Sequence, residues 1–155
     1  MKKPYNGTIL LMLTGIAGCG KDTVADYLVR HHGFHKFNFA STMKTVCARE
    51  SHLDESFFYD RDKKDSPIRS FLPQYTVPSN FKMETVEQDE QQMNDRVTPR
   101  DLLLSLAART RREDADYWTK IVLNDIQQEI TEKNWKRFVI ADCRLHSEVA
   151  FMKRR

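Results

Sequence analysis

The chain has 155 residues, of which 40% are hydrophobic and 30% charged, with a formal net charge of +3 at pH 7. This length favours a single domain, and no apolar run approaches the ~20 residues of a membrane helix, so we expect no contact with a membrane. The small positive charge suits a phosphate-bearing ligand and does not require nucleic acid as a partner.

The three cysteines are Cys19, Cys47 and Cys143. Their odd number and wide spacing match neither a disulfide framework nor a zinc site, which favours a reducing, cytoplasmic location. The basic start at 1–7 resembles a signal sequence. However, the apolar run behind it leads directly into a glycine-rich segment, so we predict no targeting signal.

The first functional signal is the glycine-rich segment 15–20, which follows an apolar strand at 8–14 and precedes a helix predicted over 21–32. Strand, glycine loop and helix in this order are typical of a P-loop, in which backbone N–H groups surround a polyphosphate. Gly15, Gly18 and Gly20 permit a close backbone approach, and Lys21 is placed to reach the β- and γ-phosphates. The alternative is a plain glycine turn.

Three further residues belong to this predicted ATP site. Asp22 stands where a P-loop usually has a Ser or Thr that binds Mg²⁺, and Thr23 follows it. Both are candidate metal ligands. Cys19 lies inside the loop, near a helix N-terminus that favours a thiolate, so it is either reactive or simply small enough to fit.

Beyond the predicted helix and its stop at Gly33, the alternating pattern at 34–39 predicts a second strand. Ser41 is placed to cap the next helix, with Lys44 in its first turn. Lys44 is a candidate phosphate ligand, with a solvated surface lysine as the alternative. The mixed charges and prolines at 57–78 predict an irregular loop, and the acidic segment 85–95 predicts a hairpin or a loop.

Thr98, Pro99 and Asp101 form the clearest helix start in the chain, because they provide a cap, a first-turn proline and the partner of a capping box. Around and within this helix the segment 96–112 contains five arginines, including Arg100, Arg109 and Arg111. Arginine binds phosphate in a bidentate manner, so these residues are candidate substrate ligands. A solvated helix face is the alternative.

The next helix is predicted to begin with Asp114 as its cap, and its apolar stripe, which includes Trp118, is most simply part of the core. A buried strand is predicted over 135–141. Asp142 follows it in the position of a Walker-B carboxylate, near the metal of a bound nucleotide. Arg144 comes next, and Ser147 is placed to cap the last helix.

Six stretches occur in an order that resembles the phage-type deoxynucleoside monophosphate kinases, which belong to the P-loop nucleoside and nucleotide kinases. The stretches are Gly-Lys-Asp-Thr at 20–23, Phe-Ala-Ser-Thr-Met-Lys at 39–44, the charged patch 60–67, Thr-Pro-Arg-Asp-Leu-Leu at 98–103, Asp-Tyr-Trp at 116–118 and Asp-Cys-Arg at 142–144. The similarity extends over residues 8–150. P-loop kinases that act on phosphomevalonate or dephospho-CoA share the loop form and remain alternatives.

The resemblance implies a three-layer α/β/α fold with a short parallel sheet in one P-loop domain over 1–155, in which residues 41–130 hold the acceptor-binding helices. It also implies ATP-dependent phosphoryl transfer, with Mg²⁺, to a deoxynucleoside or nucleoside 5′-monophosphate. Lys44 and Arg100 would face the acceptor phosphate, and Trp118 would line or support its pocket. Asp142 and Arg144 would lie at the floor of the cleft, and Lys21, Arg100, Asp142 and Arg144 would be catalytic.

Kinases of this family continue beyond the Asp-Cys-Arg segment with a lid and a loop around the donor base. We therefore expect either that this chain is truncated at its C-terminus relative to them or that another chain supplies the missing parts. In both cases we expect a thin core, an open first strand and a tendency to form a homodimer. Two alternatives to a kinase follow from the sequence. One is a non-catalytic P-loop module that binds a nucleotide, and the other, weaker one is a nucleic-acid-binding protein that uses its arginines.

Overall fold

The computed structural model describes residues 7–81, 90–144 and 146–153. Within them the chain forms a mixed α/β fold with three β-strands and six α-helices. In chain order these are β1 (Ile9–Thr14), α1 (Lys21–His32), β2 (His35–Phe37), α2 (Phe39–Ser51), α3 (Glu90–Arg96), α4 (Pro99–Glu113), α5 (Tyr117–Lys133), β3 (Arg137–Cys143) and α6 (His146–Lys153). The predicted α/β class is confirmed at this level.

The chain divides into two compact units. The first, called the sheet unit below, contains the described residues of Met1–Thr42 and Asp116–Arg155. The second, the helical unit, contains those of Met43–Ala115. The boundary at Thr42 falls within α2, so the first turn of that helix belongs to the sheet unit.

The sheet has the order β1-β3-β2, and both pairings are parallel. The central strand β3 is buried from Phe138 to Ala141, as expected for a strand covered on both faces. On one face, Val139 and Ala141 pack with Ala25 of α1 and with Phe34. The edge strand β1 leaves Ile9 46% and Leu11 36% exposed, which agrees with the prediction of an open first strand.

The prediction for α1 is confirmed at both ends. The helix occupies Lys21–His32, and Gly33 ends it in the left-handed conformation, with its N–H donated to the carbonyl of Leu28. Strand β2 is shorter than the predicted 34–39. Strand β3 begins two residues later than predicted and continues to Cys143, so Asp142 lies within the strand and not behind it.

Three predicted helix caps are wrong. Ser41 lies inside α2, which begins at Phe39, and its hydroxyl donates to the carbonyl of Asn38. As a result Lys44 lies in the second turn of the helix and not in the first. Asp114 ends α4 and does not start α5, whose first flanking residue is Asp116. Ser147 lies inside α6.

The long segment between α2 and α4 contains more structure than predicted. Short 3₁₀ helices occupy Glu55–Phe58 and Ile68–Ser70. Residues 90–96 form α3, where a hairpin or loop was predicted, because the acidic, glutamine-rich composition hid a helical segment. The first part of that prediction, 85–89, lies outside the described residues.

The start of α4 agrees with its prediction in every detail. The side chain of Thr98 accepts the N–H of Asp101, the carboxylate of Asp101 accepts the N–H of Thr98, and Pro99 occupies the first turn.

In α5, Trp118, Val122 and Ile126 are buried, as the apolar stripe predicted. Among the described helices, none is long and apolar enough to cross a membrane.

Candidate phosphate-binding site

The glycine-rich loop connects the carboxyl end of β1 to the first residue of α1. Gly18 and Gly20 both have positive φ, 78° and 87°, and Gly20 flanks the helix in the left-handed conformation. A Cβ at either position would meet no atom within 4 Å. Glycine is therefore favoured here by the backbone conformation and not by crowding.

Gly15 has a different reason to be glycine. A Cβ at this position would lie 2.7 Å from the sulfur of Cys19, a distance that real side chains do not adopt. The missing side chain of Gly15 thus makes room for Cys19, whose side chain is exposed in the loop. Cys19 acts here at least as a small residue that fits the turn.

Lys21 holds the loop through its ammonium group. Its Nζ donates to the carbonyl of Gly15 at 2.9 Å and to that of Ile16 at 2.7 Å, and lies 3.6 Å from the sulfur of Cys19. The positive charge is therefore concentrated at the loop itself. A phosphate bound by the loop would be close to this charge, in line with the predicted role of Lys21.

The N-terminus of α1 is open to an anion. The first N–H groups of any α-helix lack partners within the helix, and they carry the positive end of the helix dipole. No side chain of the described residues caps this end. In contrast, Thr98 caps α4. A phosphate at the start of α1 would supply the missing acceptor.

Asp22 is held by a lysine that sequence analysis missed. The Nζ of Lys36, on β2, lies 2.8 Å from Asp22 and 2.9 Å from Asp26, one turn further along α1. Partial burial would lower the pKa of Lys36, but the hydrogen bonds and charges of the two carboxylates outweigh it and raise that pKa. No local pattern marks Lys36, since its partners are ten or more residues away.

The ion pair bears on the predicted metal ligands. The Asp22 side chain is 76% exposed and already neutralised by Lys36, so a Mg²⁺ ion would compete with an ammonium for it. Thr23, the other candidate in the loop, is exposed at the start of α1.

Asp142 lies at the carboxyl end of β3, beside the start of the loop, because Thr14 of β1 pairs with Cys143. The register between β1 and β3 shifts at this point, and such irregularities re-orient side chains at sheet ends. The two oxygens of Asp142 accept the N–H groups of Phe39 and Ala40, each at 2.8 Å. Asp142, and not Ser41, therefore caps α2.

Capping does not exhaust the acceptor capacity of Asp142. A carboxylate has about four lone-pair directions, and the two N–H groups use two of them. Asp142 can therefore hold α2 and still offer an oxygen to a cation. Sequence analysis identified this residue as a metal ligand and missed its structural role, because Phe39 is more than a hundred residues away.

Arg144 is exposed just after β3, and its backbone N–H donates to the carboxylate of Glu148 at 2.9 Å. The Glu148 side chain, in the first turn of α6, is buried despite its charge. It fixes the turn that presents Arg144, a role sequence analysis did not assign. The guanidinium of Arg144 makes no ion pair with the residues that the structure describes.

Trp118 is 4% exposed and packs in the core at the start of α5, with the ring of Tyr117 edge-on at 4.9 Å. Its indole N–H is buried and has no hydrogen-bond partner within the described part of the chain. In its place in the core, Trp118 can support a pocket. To line one it would have to become more exposed.

In the helical unit, Lys44 lies with its Nζ 3.8 Å from the centre of the Tyr59 ring, a cation–π contact. Partial burial and repulsion by the nearby charge of Lys64 lower the pKa of Lys44, while Glu55 opposes the shift. The backbone N–H of Arg100 donates to the carbonyl of the same Lys64 at 3.0 Å. The segment that contains Lys64 is thus attached to the start of α4.

Arg100 is paired with a carboxylate. Its Nε binds one oxygen of Asp65, and its Nη2 donates to the other at 3.2 Å, so both arms of the guanidinium contact the same group. The pairing lowers the pKa of Asp65. Both side chains are about half exposed, which makes the pair accessible to a competing anion.

The two other predicted arginines differ from each other. Arg109 is partly buried and ties Glu50 to Asn80, through contacts of 2.6 Å to the carboxylate of Glu50 and 2.8 Å to the carbonyl of Asn80. The guanidinium N–H groups that were predicted to bind substrate are therefore already used in contacts within the protein. Arg111 is exposed on α4 and forms no ion pair with any residue in the described ranges.

The predicted site residues thus fall into two groups. The sheet unit contains the loop, Lys21, Asp142, Arg144 and Trp118, and the helical unit contains the substrate cations Lys44, Arg100, Arg109 and Arg111. Within the described residues, no group of three or more His, Cys, Asp or Glu side chains could hold a metal ion.

A scan against protein-family models finds no match to this chain, and a search of curated proteins finds no significant relative.

Proposed function

We propose that this protein is a P-loop kinase of the three-layer α/β/α type that transfers the γ-phosphate of ATP to a deoxynucleoside 5′-monophosphate. The observation that carries the proposal is the loop at the carboxyl end of β1. It joins a parallel strand to a helix whose N-terminus has no described side-chain cap, and it holds Lys21 across its carbonyls. The resemblance to phage-type deoxynucleoside monophosphate kinases supplies the acceptor class.

The residues of the sheet unit would act on the donor nucleotide. The N–H groups at the start of α1 would donate hydrogen bonds to the phosphates of ATP, and the ammonium of Lys21 would stabilise the charge that develops on the transferred group. Asp142 would keep the start of α2 fixed beside the loop while presenting its remaining acceptor positions. Such a reaction depends on positioning and cationic charge more than on covalent steps.

The few protein oxygens proposed to bind Mg²⁺ suit a site in which phosphate oxygens of the nucleotide provide the other ligands. Mg²⁺ is usually held by one or two carboxylates together with phosphate oxygens and water, so it does not need a larger cluster of protein ligands. Asp142 and the hydroxyl of Thr23 would provide the protein ligands, and Asp22 would do so only by giving up Lys36. Bound Mg²⁺ would neutralise phosphate charge.

The residues of the helical unit would act on the acceptor. Lys44, Arg100 and Arg111 would bind its phosphate, since a guanidinium can hold two phosphate oxygens at once. Neutralising this dianion is necessary before a second polyanion can approach it.

The experiment combines the protein with ATP, Mg²⁺ and each of the deoxynucleoside and nucleoside 5′-monophosphates, and measures ADP. We expect ADP with at least one acceptor. Lys21→Ala should lower the rate by about 100-fold or more, because it removes a charge used in the transition state. Lys136→Ala removes an exposed lysine of the same unit away from the loop and should have no effect.

Other outcomes decide between the alternatives. ATP binding without ADP formation for any acceptor would contradict the kinase and favour a nucleotide-binding module. ADP formation only with phosphomevalonate or dephospho-CoA would retain the fold and the loop and replace the acceptor. Equal activity of Lys21→Ala and the unaltered protein would refute the role of the loop.

A further inference from the structure

In the structure, Asp65 pairs with the guanidinium of Arg100, which is the group that the proposed function assigns to the acceptor phosphate. Nε and Nη2 of Arg100 contact the two carboxylate oxygens of Asp65. This is the geometry in which an arginine binds two oxygens of a phosphate. Asp65 therefore occupies the two donors Nε and Nη2, called the fork of Arg100 below, much as a phosphate would.

Asp65 is presented by an ordered turn. The carboxylate of Asp60 accepts the N–H of Asp62 at 2.9 Å and that of Lys63 at 3.2 Å. The turn is attached to the start of α4, because the N–H of Arg100 donates to the carbonyl of Lys64 at 3.0 Å. This backbone contact does not involve the Asp65 side chain, so the carboxylate can leave the fork while the turn remains in place.

The charges around the pair favour replacement of Asp65 by a stronger anion. Lys64 precedes Asp65 on the same turn, and its charge lowers the pKa of Lys44. Arg100 and Lys64 both lower the pKa of the Asp65 carboxyl, so two positive charges act on the group that fills the guanidinium of Arg100. A phosphate dianion carries about twice the charge of a carboxylate, and ion pairs as exposed as this one are weak.

We propose that Asp65 is an internal competitor of the acceptor phosphate: it fills the fork of Arg100 in the free protein and is displaced when the acceptor binds. This inference rests on the proposed function, since it takes Arg100 as an acceptor ligand. The apparent affinity for the acceptor is then reduced by the fraction of molecules in which Asp65 fills the fork. Asp65 also keeps Arg100 neutralised until a nucleotide arrives.

The test compares Asp65→Asn with Asp62→Asn. Both variants remove one negative charge from the same exposed turn, but only Asp65 pairs with Arg100, and Asp62 forms no ion pair within the described residues. Binding of each of the four deoxynucleoside 5′-monophosphates is measured by calorimetry without ATP. We expect Asp65→Asn to tighten binding roughly two- to fivefold, the range of a half-exposed ion pair, and Asp62→Asn to change it much less.

Steady-state kinetics provide a second measurement. Asp65→Asn should lower KM for the acceptor by the same factor and leave kcat unchanged, because the fork is equally filled in the complex. Thermal unfolding of both variants shows whether the turn has kept its structure. Only a change in affinity that exceeds that of Asp62→Asn at equal stability supports the competitor role.

The opposite results overturn it. If Asp65→Asn weakens acceptor binding, Asp65 positions Arg100 and does not compete with phosphate. If the two variants bind equally, the fork of Arg100 is not the acceptor site, while the kinase itself stands as long as ADP is formed. If the unaltered protein neither binds nor phosphorylates any monophosphate, the proposed function fails together with this inference.

Discussion

The glycine loop of the sheet unit and the Arg100 region of the helical unit are both proposed to bind phosphate, and they are built by different means. The loop uses backbone groups: carbonyls hold Lys21, glycines with positive φ shape the turn, and the start of α1 has no described side-chain cap. The Arg100 region uses side chains: Asp65 fills the guanidinium fork, and Tyr59 faces Lys44. The start of α1 has no described side-chain cap, whereas the guanidinium of Arg100 is already paired with a carboxylate.

This difference has an energetic side. Backbone donors at a helix start are fixed by the helix, so a ligand meets them without any rearrangement. The ion pair of Arg100 with Asp65 must be broken before the arginine can bind a new anion, and this cost is small because the pair is exposed. We therefore expect substitutions in the glycine loop to change stability and ligand binding together. Substitutions of side chains in the helical unit can change one of these properties without the other.

Asp142 is the place where we expect the largest effect on stability. Asp142→Ala removes the acceptor of two N–H groups at the start of α2, and the free energy of unfolding should fall by about 2 kcal/mol. Asp142→Asn keeps one oxygen as acceptor and should lose about half as much. Urea unfolding of both variants measures the difference. An unchanged stability of Asp142→Ala would show that α2 is held by other contacts.

Arg109 and Arg111 give the next effect, and they separate structure from binding in the helical unit. Arg109→Ala breaks the contacts to Glu50 and Asn80 and should lower the free energy of unfolding by about 1 to 2 kcal/mol. Arg111→Ala should stay within about 0.5 kcal/mol, because Arg111 is exposed and unpaired among the described residues. Calorimetry with the monophosphates should give the opposite order for binding, with Arg111→Ala weakening acceptor binding more than Arg109→Ala. Equal stabilities would contradict the structural role of Arg109.

A pair of glycines tests the backbone-built region. Gly20 and Gly33 flank the two ends of α1 with positive φ, and neither has a neighbour that an added Cβ would meet. Each substitution by alanine should therefore cost about 1 kcal/mol of stability from backbone strain alone. Only Gly20→Ala should also weaken ATP binding, which equilibrium dialysis measures. If Gly33→Ala weakens ATP binding equally, the loop has no special role.

The smallest perturbation is a chemical label on the unaltered protein. Burial raises the pKa of Cys47 and of Cys143 to about 12, so at pH 8 only about one molecule in 10,000 carries either thiolate. Cys19 is exposed in the loop. Iodoacetamide should label Cys19 alone, and ATP should protect it. Mass spectrometry identifies the site, and the unfolded protein, labelled at all three cysteines, is the control.

The sequence predicted the parts of the fold that depend on neighbours in the chain. The bounds of α1, the capping box of Thr98 and the buried stretch of β3 follow from local patterns, and the structure agrees with them. It did not predict α3, whose polar composition resembles that of a loop. The caps at Ser41, Asp114 and Ser147 were wrong because a suitable residue type does not fix the first residue of a helix.

In the candidate site, the sequence by itself determined the loop and its lysine, because glycine conformation and the order of strand, loop and helix are local properties. Only the tertiary structure decided the partners: Lys36 for Asp22, the amides of α2 for Asp142, and Asp65 for Arg100. These contacts join residues that are between 14 and 103 positions apart. Charge and hydrogen bonding act through space, so no pattern along the chain records which carboxylate a distant cation meets.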